Sequence, residues 1–286
     1  MQPFKTPSFR EVLDREKFVR LAGAHDALGG VLAEHAGFDA IWSSSLEVSA
    51  SRALPDASLL TMTEYLDAAS NMQKKVRIPV VADCDTGYGS ALNVAHMVHE
   101  YERAGITAVC MEDKLFPKLN SFAKGDQTLL PTSDFARKIS TAKAAQFNAD
   151  FFVVARTEAL ISGLSVAEAL ERTHAYADAG ADAILIHSKS KDSGEVEEFI
   201  DLWSGRLPVV VVPTTYPNWN AQDMKRAGVS AVIYANQGLR STVSALRSTF
   251  ASVLKHGDTV ALEDTIAPVN DVFELQQLDK WMALDA

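Results

Sequence analysis

One pattern recurs eight times along the 286 residues, and it limits the possible folds more than any other feature of the chain. A short, nearly unbroken apolar run ends in polar or glycine residues, and an amphipathic stretch with helical spacing follows. The runs are Val19–Ala24, Ala40–Ser43, Val80–Asp83, Ala108–Glu112, Phe151–Arg156, Ala183–His187, Val209–Pro213 and Ala231–Asn236. Strands apolar on both faces suit a parallel sheet covered by helices. The stretches between them predict helices over Leu28–Ala36, Met62–Lys74, Ala91–Ala104, Asp134–Gln146, Val166–Ala179, Val196–Ser204 and Ala221–Ala227. Several end in Ala-Gly pairs, at Gly37, Gly105, Gly180 and Gly228, where a left-handed glycine closes a helix. Eight such units in about 225 residues predict a closed (β/α)8 barrel, with a doubly wound open sheet as the alternative.

A leading helix is predicted from Ser8, an N-cap with Glu11 three residues on. Residues 242–286 exceed what eight units need and predict two or three further helices, around Val243–Lys255, Val260–Ile266 and Val269–Trp281. The expectation is one domain over residues 1–286. Its C-terminal extension would pack on another subunit or cap the barrel through Phe273, Leu275, Leu278 and Trp281.

The net charge of −10, with no block of Lys or Arg, argues against nucleic acid or an acidic membrane surface as the main partner. No apolar run approaches the roughly 18 residues that span a bilayer. The charged start, MQPFKTPSFREVLDREKF, has no apolar signal-peptide core, so a cytoplasmic protein is expected. Cys84 and Cys110 sit in apolar runs without metal-ligand spacing and read as buried, reduced thiols.

The chemistry collects at the C-terminal ends of the predicted strands, where a barrel of this type carries its active site. Those ends hold Trp42-Ser43-Ser44-Ser45, Asp83 and Asp85, Glu112 and Asp113, Arg156 and Glu158, His187, Thr214 and Asn236. The strand starts are apolar, and this asymmetry points to an enzyme rather than a binding or scaffold barrel. Asp83 and Asp85, at i and i+2, fall on one side of an extended chain, and Glu112 ends the neighbouring strand. Three converging carboxylates call for a cation, and hard oxygen ligands suit Mg2+. The alternative is that these acids cap turns and helices. Asp56 is either a second-sphere group of that metal or a turn residue. Ser44, Ser45 and Leu46 read as an anion cradle or as an ordinary serine-rich turn. Arg156 follows a strongly apolar strand and must be paired or bind a ligand, with Glu158 the obvious partner. His187 is either a satisfied core histidine or a site residue.

After Glu112 the chain enters a polar, Pro-containing stretch without helical or strand period until about Asp134. A connection of about twenty residues of this kind is usually a lid or binding loop. It carries Lys118 and Asn120. Taken alone, Lys118 would be a surface lysine; here a predicted metal site lies beneath it.

These residues together resemble phosphoenolpyruvate mutase, within the isocitrate lyase and PEP mutase superfamily. The stretches that carry the resemblance are 37–42 (GFDAIW), 83–89 (DCDTGYG), 112–121 (EDKLFPKLNS), 155–159 (ARTEA) and 180–188 (GADAILIHS). The loop string is the more specific, and DxDTGYG is shared across the superfamily. The resemblance implies Mg2+-dependent interconversion of phosphoenolpyruvate and phosphonopyruvate, the C–P bond-forming step of phosphonate biosynthesis. By analogy Asp83 binds Mg2+ directly, with Asp85, Glu112 and Asp56 acting through water. Arg156 and His187 hold the phosphoryl group and the substrate, with Glu158 beside them. Ser44 and the backbone at Ser45 and Leu46 hold the pyruvate end. Lys118, Asn120 and Ser121 lie on a gating loop, and Trp42 walls the pocket. A homotetramer, a dimer of dimers with a helix exchanged between subunits, is implied as well.

Two relatives define the alternatives. Phosphonopyruvate hydrolase has a similar loop with Thr where Asn120 stands. Residues 53–57 (ALPDA) and 213–217 (PTTYP) look hydrolase-like. Carbon–carbon lyases and oxaloacetate decarboxylases of the superfamily form the third reading, but isocitrate-type lyases carry a catalytic Cys in a KxCGH-like loop, and the loop here has Lys118 and no Cys. Ser43 and Ser45 depart from the Gly-Ser-Gly common in the mutase family.

Overall fold

Short apolar runs satisfy their backbone hydrogen bonds by pairing side by side, and here they close a full circle. In the computed structural model, which describes residues 6–285, the strands are β1 (Val19–Ala24), β2 (Ala40–Ser43), β3 (Val80–Asp83), β4 (Ala108–Glu112), β5 (Phe152–Thr157), β6 (Ala183–Ile186), β7 (Val209–Val211) and β8 (Ala231–Tyr234). Each pairs in parallel with the next, and β8 returns to β1 with Val19 opposite Ala231. Closure removes both edges that an open sheet would leave, so the doubly wound alternative does not hold. Met1–Lys5 of the charged N-terminal segment and Ala286 lie outside the described residues.

The helices are α1 (Phe9–Glu16), α2 (Ala27–His35), α3 (Ser45–Ser51), α4 (Met62–Gln73), α5 (Ala91–Arg103), α6 (Thr132–Ala145), α7 (Val166–Asp178), α8 (Gly194–Trp203), α9 (Ala221–Arg226), α10 (Gln237–His256), α11 (Val269–Leu275) and α12 (Leu278–Met282). Ser8 and Glu11 form the expected capping box on α1. The glycines of the four Ala-Gly pairs all take positive φ. The short helix α3 was not expected. It starts where Ser44 caps the chain by accepting from the Glu47 N–H, in what reads from sequence as a serine-rich turn.

Alternate strand residues, including Leu21, Trp42, Val81, Cys110, Val154, Leu185 and Ile233, form one apolar cluster with Phe9, Val12 and Leu13 of α1. Phe9 packs edge-on against Phe152 with ring centroids 5.2 Å apart. The leading helix therefore plugs the N-terminal mouth of the barrel. The intervening strand residues pack outward against the surrounding helices. Both cysteines are buried and free, and burial pushes both thiols up. With one mouth closed by apolar packing, the polar groups gather at the other.

The chain divides into two compact units, Met1–Asn236 and Gln237–Ala286. The second holds α10 to α12. The expected helix over Val260–Ile266 is instead a series of turns, with Leu262 N–H bonded to the Thr259 carbonyl and Thr265 N–H to that of Leu262. The expected helix over Val269–Trp281 breaks at Gln277, which takes a left-handed φ of 55°. No residue of the 20-residue α10 is buried, and Val243, Leu246, Phe250 and Leu254 repeat along it at helical spacing. No helix among the described residues is long and apolar enough to cross a membrane.

Candidate active site

The floor of the polar mouth is made by β4 and β5, whose register sets Glu112 opposite Arg156. The Arg156 Nε lies 2.5 Å from Glu158 Oε1 and 3.3 Å from Glu112 Oε2. Its Nη2 reaches Ser121 Oγ at 3.1 Å and His187 Nδ1 at 2.8 Å. Burial alone would raise the Glu158 carboxyl, but Arg156, then His187 and Lys114, hold it well below the usual range. Burial dominates at Glu112 and pushes it up. Burial likewise lowers His187, which favours neutral imidazole. Since guanidinium only donates, the Arg156 contact places the lone pair on Nδ1 and the proton on Nε2. In the other tautomer Nδ1–H is free to donate to Glu158 Oε1, 2.8 Å away. His187 Nε2 is buried in the wall of the central cavity without a partner in the protein.

The second wall comes from β2, β3 and α3. Asp83 ends β3 and accepts from Ser45 Oγ at 2.9 Å. The sequence expectation that Asp83 and Asp85 share one side of an extended chain is corrected here. Asp85 has φ 48°, and the chain turns before it can alternate. Gly87 closes that turn with φ 82°, and a Cβ there would sit 2.5 Å from Val94. The Asp85 carboxyl is thus delivered by a turn, while its carbonyl still accepts from the Glu112 N–H. Burial first, and then Asp83, Asp56 and Glu112, push it up to about 7 against the opposing pull of Lys118. Trp42 is buried at the end of β2 and lines the cavity with Ser44, Ser45 and Leu46.

The long connection after β4 folds over this mouth. Apart from one antiparallel bridge, Lys114 to Leu129, it has no regular structure before α6. The Lys118 ammonium is buried, 2.5 Å from Asp56 Oδ1 and 3.1 Å from Asp85 Oδ1. Asn120 donates its amide to Asp56 Oδ2 at 2.8 Å and its backbone N–H to the Asp56 carbonyl. Burial alone would lift Asp56, yet Lys118, Asn120 and Arg156 carry it below the ordinary carboxylate value. Phe122 sets its edge against the His187 ring, centroids 5.5 Å apart. The cavity is about 50 Å3, partly open to solvent and enough for a few waters.

Ser121, Lys114 and Glu158 form a second contact between loop and floor. Ser121 Oγ donates to Glu158 Oε2 and accepts from Lys114 and Arg156, which uses its whole capacity. Lys114 was not singled out as a site residue from sequence. A lysine in a polar loop reads as solvated, although its place inside the EDK string was a signal. Phe122 was likewise missed.

Asp83, Asp85 and Glu112 do not converge by themselves: among the described residues no three His, Cys, Asp or Glu side chains form a metal-holding group. Lys118 reaches between Asp56 and Asp85 instead. A divalent cation nevertheless fits the balance of the site. Five buried carboxylates (Asp56, Asp83, Asp85, Glu112 and Glu158) face three cations (Lys114, Lys118 and Arg156), which leaves an excess of two negative charges. Glu112 Oε1 has no hydrogen-bond partner, and Asp85 Oδ1 meets only the Lys118 ammonium, 3.1 Å away. Uncompensated buried charge is strongly unfavourable. All-oxygen donors with few protein ligands suit Mg2+, which keeps several waters.

Comparison with known proteins agrees with the barrel fold. A family model described as phosphoenolpyruvate phosphomutase matches residues 9–254. A solved phosphoenolpyruvate phosphomutase from Streptomyces platensis subsp. rosaceus superposes with a TM-score of 0.95, at 54% identity over 96% of each chain. Phosphonopyruvate hydrolase from Variovorax sp. (strain Pal2) is 42% identical over 284 residues, 99% of this chain and 98% of its own. A crystal structure of phosphonopyruvate hydrolase with oxalate and Mg2+ superposes with a TM-score of 0.91, at 42% identity over 96% of each chain.

Proposed function

The chain belongs to the phosphoenolpyruvate phosphomutase family, and on that footing we propose that it interconverts phosphoenolpyruvate and phosphonopyruvate in a Mg2+-dependent reaction. The observation that carries this reading is the loop folded over the polar mouth, with Lys118 and Asn120 both bound to Asp56 above a small cavity. Moving a phosphoryl group between carbon and oxygen of one substrate breaks one bond to phosphorus and makes another. The intervening species is metaphosphate-like, and water that reached it would divert it to phosphate. A lid that closes tightly on a small cavity favours isomerisation over hydrolysis.

Catalysis then rests on positioning and electrostatics. The Arg156 guanidinium and the His187 Nε2–H donate to phosphoryl oxygens, with Glu158 fixing the guanidinium and the guanidinium in turn donating to His187 Nδ1. Lys118 adds positive charge from above. Ser44 and the backbone at Ser45 and Leu46 take the pyruvate carboxylate, and Trp42 limits its movement. Asp83 would hold Mg2+, with Asp85, Glu112 and Asp56 acting through water. When bound, Mg2+ supplies Lewis-acid charge at the pyruvate end. The apolar stripe of α10 supports association of copies into a homo-oligomer.

The hydrolase reading has its own support in the Variovorax relative, which aligns over nearly the whole chain. The two separate in a 31P NMR experiment with phosphonopyruvate and Mg2+. Growth of phosphoenolpyruvate without inorganic phosphate is the expected result. Phosphate and pyruvate as the first products would replace the mutase reading with the hydrolase one.

The metal assignment has a test independent of turnover. Saturating Mg2+ is expected to raise Tm by roughly 5 °C, from mass action on a site of this charge. Asp83→Ala is expected to abolish the increment. A shift of unchanged size in that variant would remove Asp83 from the metal site.

A further inference from the structure

Lys114 is one of the larger fully buried side chains of the protein, and it is a charged one. It follows β4 at the base of the lid loop, where its bridge to Leu129 and the bond from Leu115 N–H to the Thr128 carbonyl fix its backbone. Its ammonium does not turn outward to solvent. It donates to the Leu119 carbonyl at 2.9 Å and to Ser121 Oγ at 2.9 Å, and lies 3.2 Å from Glu158 Oε2. All three ammonium protons therefore have an acceptor, and Glu112 adds a fourth oxygen at 3.9 Å.

Leu119 stands between the two residues that reach Asp56. Fixing its carbonyl from below sets the backbone from which Lys118 and Asn120 project. The loop is thus held from below through Leu119 and Ser121 and from above by Asp56 and by Ser58, whose Oγ accepts from the Lys118 N–H at 2.9 Å. The outer contact, on Asp56, belongs to the site already described. The inner contact, from Lys114 to Leu119 and Ser121, touches no atom that lines the cavity except those of Ser121.

We propose that Lys114 is a positioning residue, the inner latch that keeps the lid loop seated and so sets how the product divides between isomerisation and hydrolysis. The part concerning the loop stands on geometry alone. The part concerning product division rests on the mutase reading.

Lys114→Met keeps most of the side-chain volume and removes the donors. Two measurements on the full chain test it. Hydrogen exchange at the Lys118 and Asn120 amides is expected to speed up about tenfold or more, as befits losing charged hydrogen bonds that hold a local structure closed. With phosphonopyruvate and Mg2+, the 31P spectrum is expected to show a severalfold larger share of inorganic phosphate. Exchange rates equal to wild type would overturn the latch. Faster exchange with an unchanged product ratio would overturn its role in product division while leaving the mutase reading intact. A wild type that releases only phosphate would fail the mutase reading, and the exchange result would still decide the latch. Should Lys114→Met not fold, Lys114→Gln retains a donor without the charge, and the same outcomes apply.

Discussion

Lys118→Met is expected to lower kcat/KM for phosphonopyruvate by roughly 10^2–10^3, the usual loss when one preorganised donor to a developing charge is removed. The ammonium is set for this task. Burial opposes its charge, but Asp85 and Asp56, then Glu112 and Asp83, hold its pKa well above the ordinary value, so it stays protonated over the cavity. The same substitution leaves Asp56 and Asp85 without their ammonium. Breaking a buried pair from one side costs about 3–5 kcal/mol, and Asn120 still bonds Asp56, so the lower end applies. A Tm about 6 °C below wild type is the corresponding expectation for a chain of this size. Steady-state kinetics well below the variant's Tm separate the two effects. If Lys118 serves only to pair with Asp56, the folded variant will turn over within a few-fold of wild type, and the catalytic role assigned to the loop falls.

Much of this arrangement was legible in the chain because it depends on local pattern. The eight apolar runs are strands whose boundaries shift by no more than two residues from the pattern, since a buried parallel strand is read from consecutive Val, Ile and Ala residues. That the site lies at the strand ends followed from polarity. What was not legible depends on backbone turns and on distant partners. Asp85 reaches the site through a left-handed φ, which alternation cannot foresee. The short α3 escaped notice because its buried Glu47 breaks the expected apolar face; that carboxylate lies 2.9 Å from the His25 Nδ1, a partner 22 residues back. Lys114 is buried because the pairing of β4 with β5 brings Glu158, the residue after β5, beside the start of the loop, a tertiary fact with no local signature.

Arg156→Lys tests whether the floor needs a charge or a fork. The guanidinium contacts Glu158 and Glu112 through Nε, and Ser121 and His187 through Nη2. An ammonium is a point charge without that planar geometry. Lys at this position keeps Glu158 and Glu112 partly compensated but loses the contacts that orient His187 and hold Ser121. Activity is expected to fall by roughly 10^3, with Tm lowered by only a few degrees, because the charge remains buried among its partners. Arg156→Met, by contrast, strands two carboxylates and is expected to lose about 3–5 kcal/mol of stability in addition. Thermal unfolding and kinetics on both variants give four values. If Arg156→Lys retains near wild-type turnover, a positive charge is sufficient, and His187 is oriented by Glu158 without help from the guanidinium. If both variants lose the same stability, the paired carboxylates are not what makes Arg156 structurally necessary, and the balance of charge argued for the site is wrong.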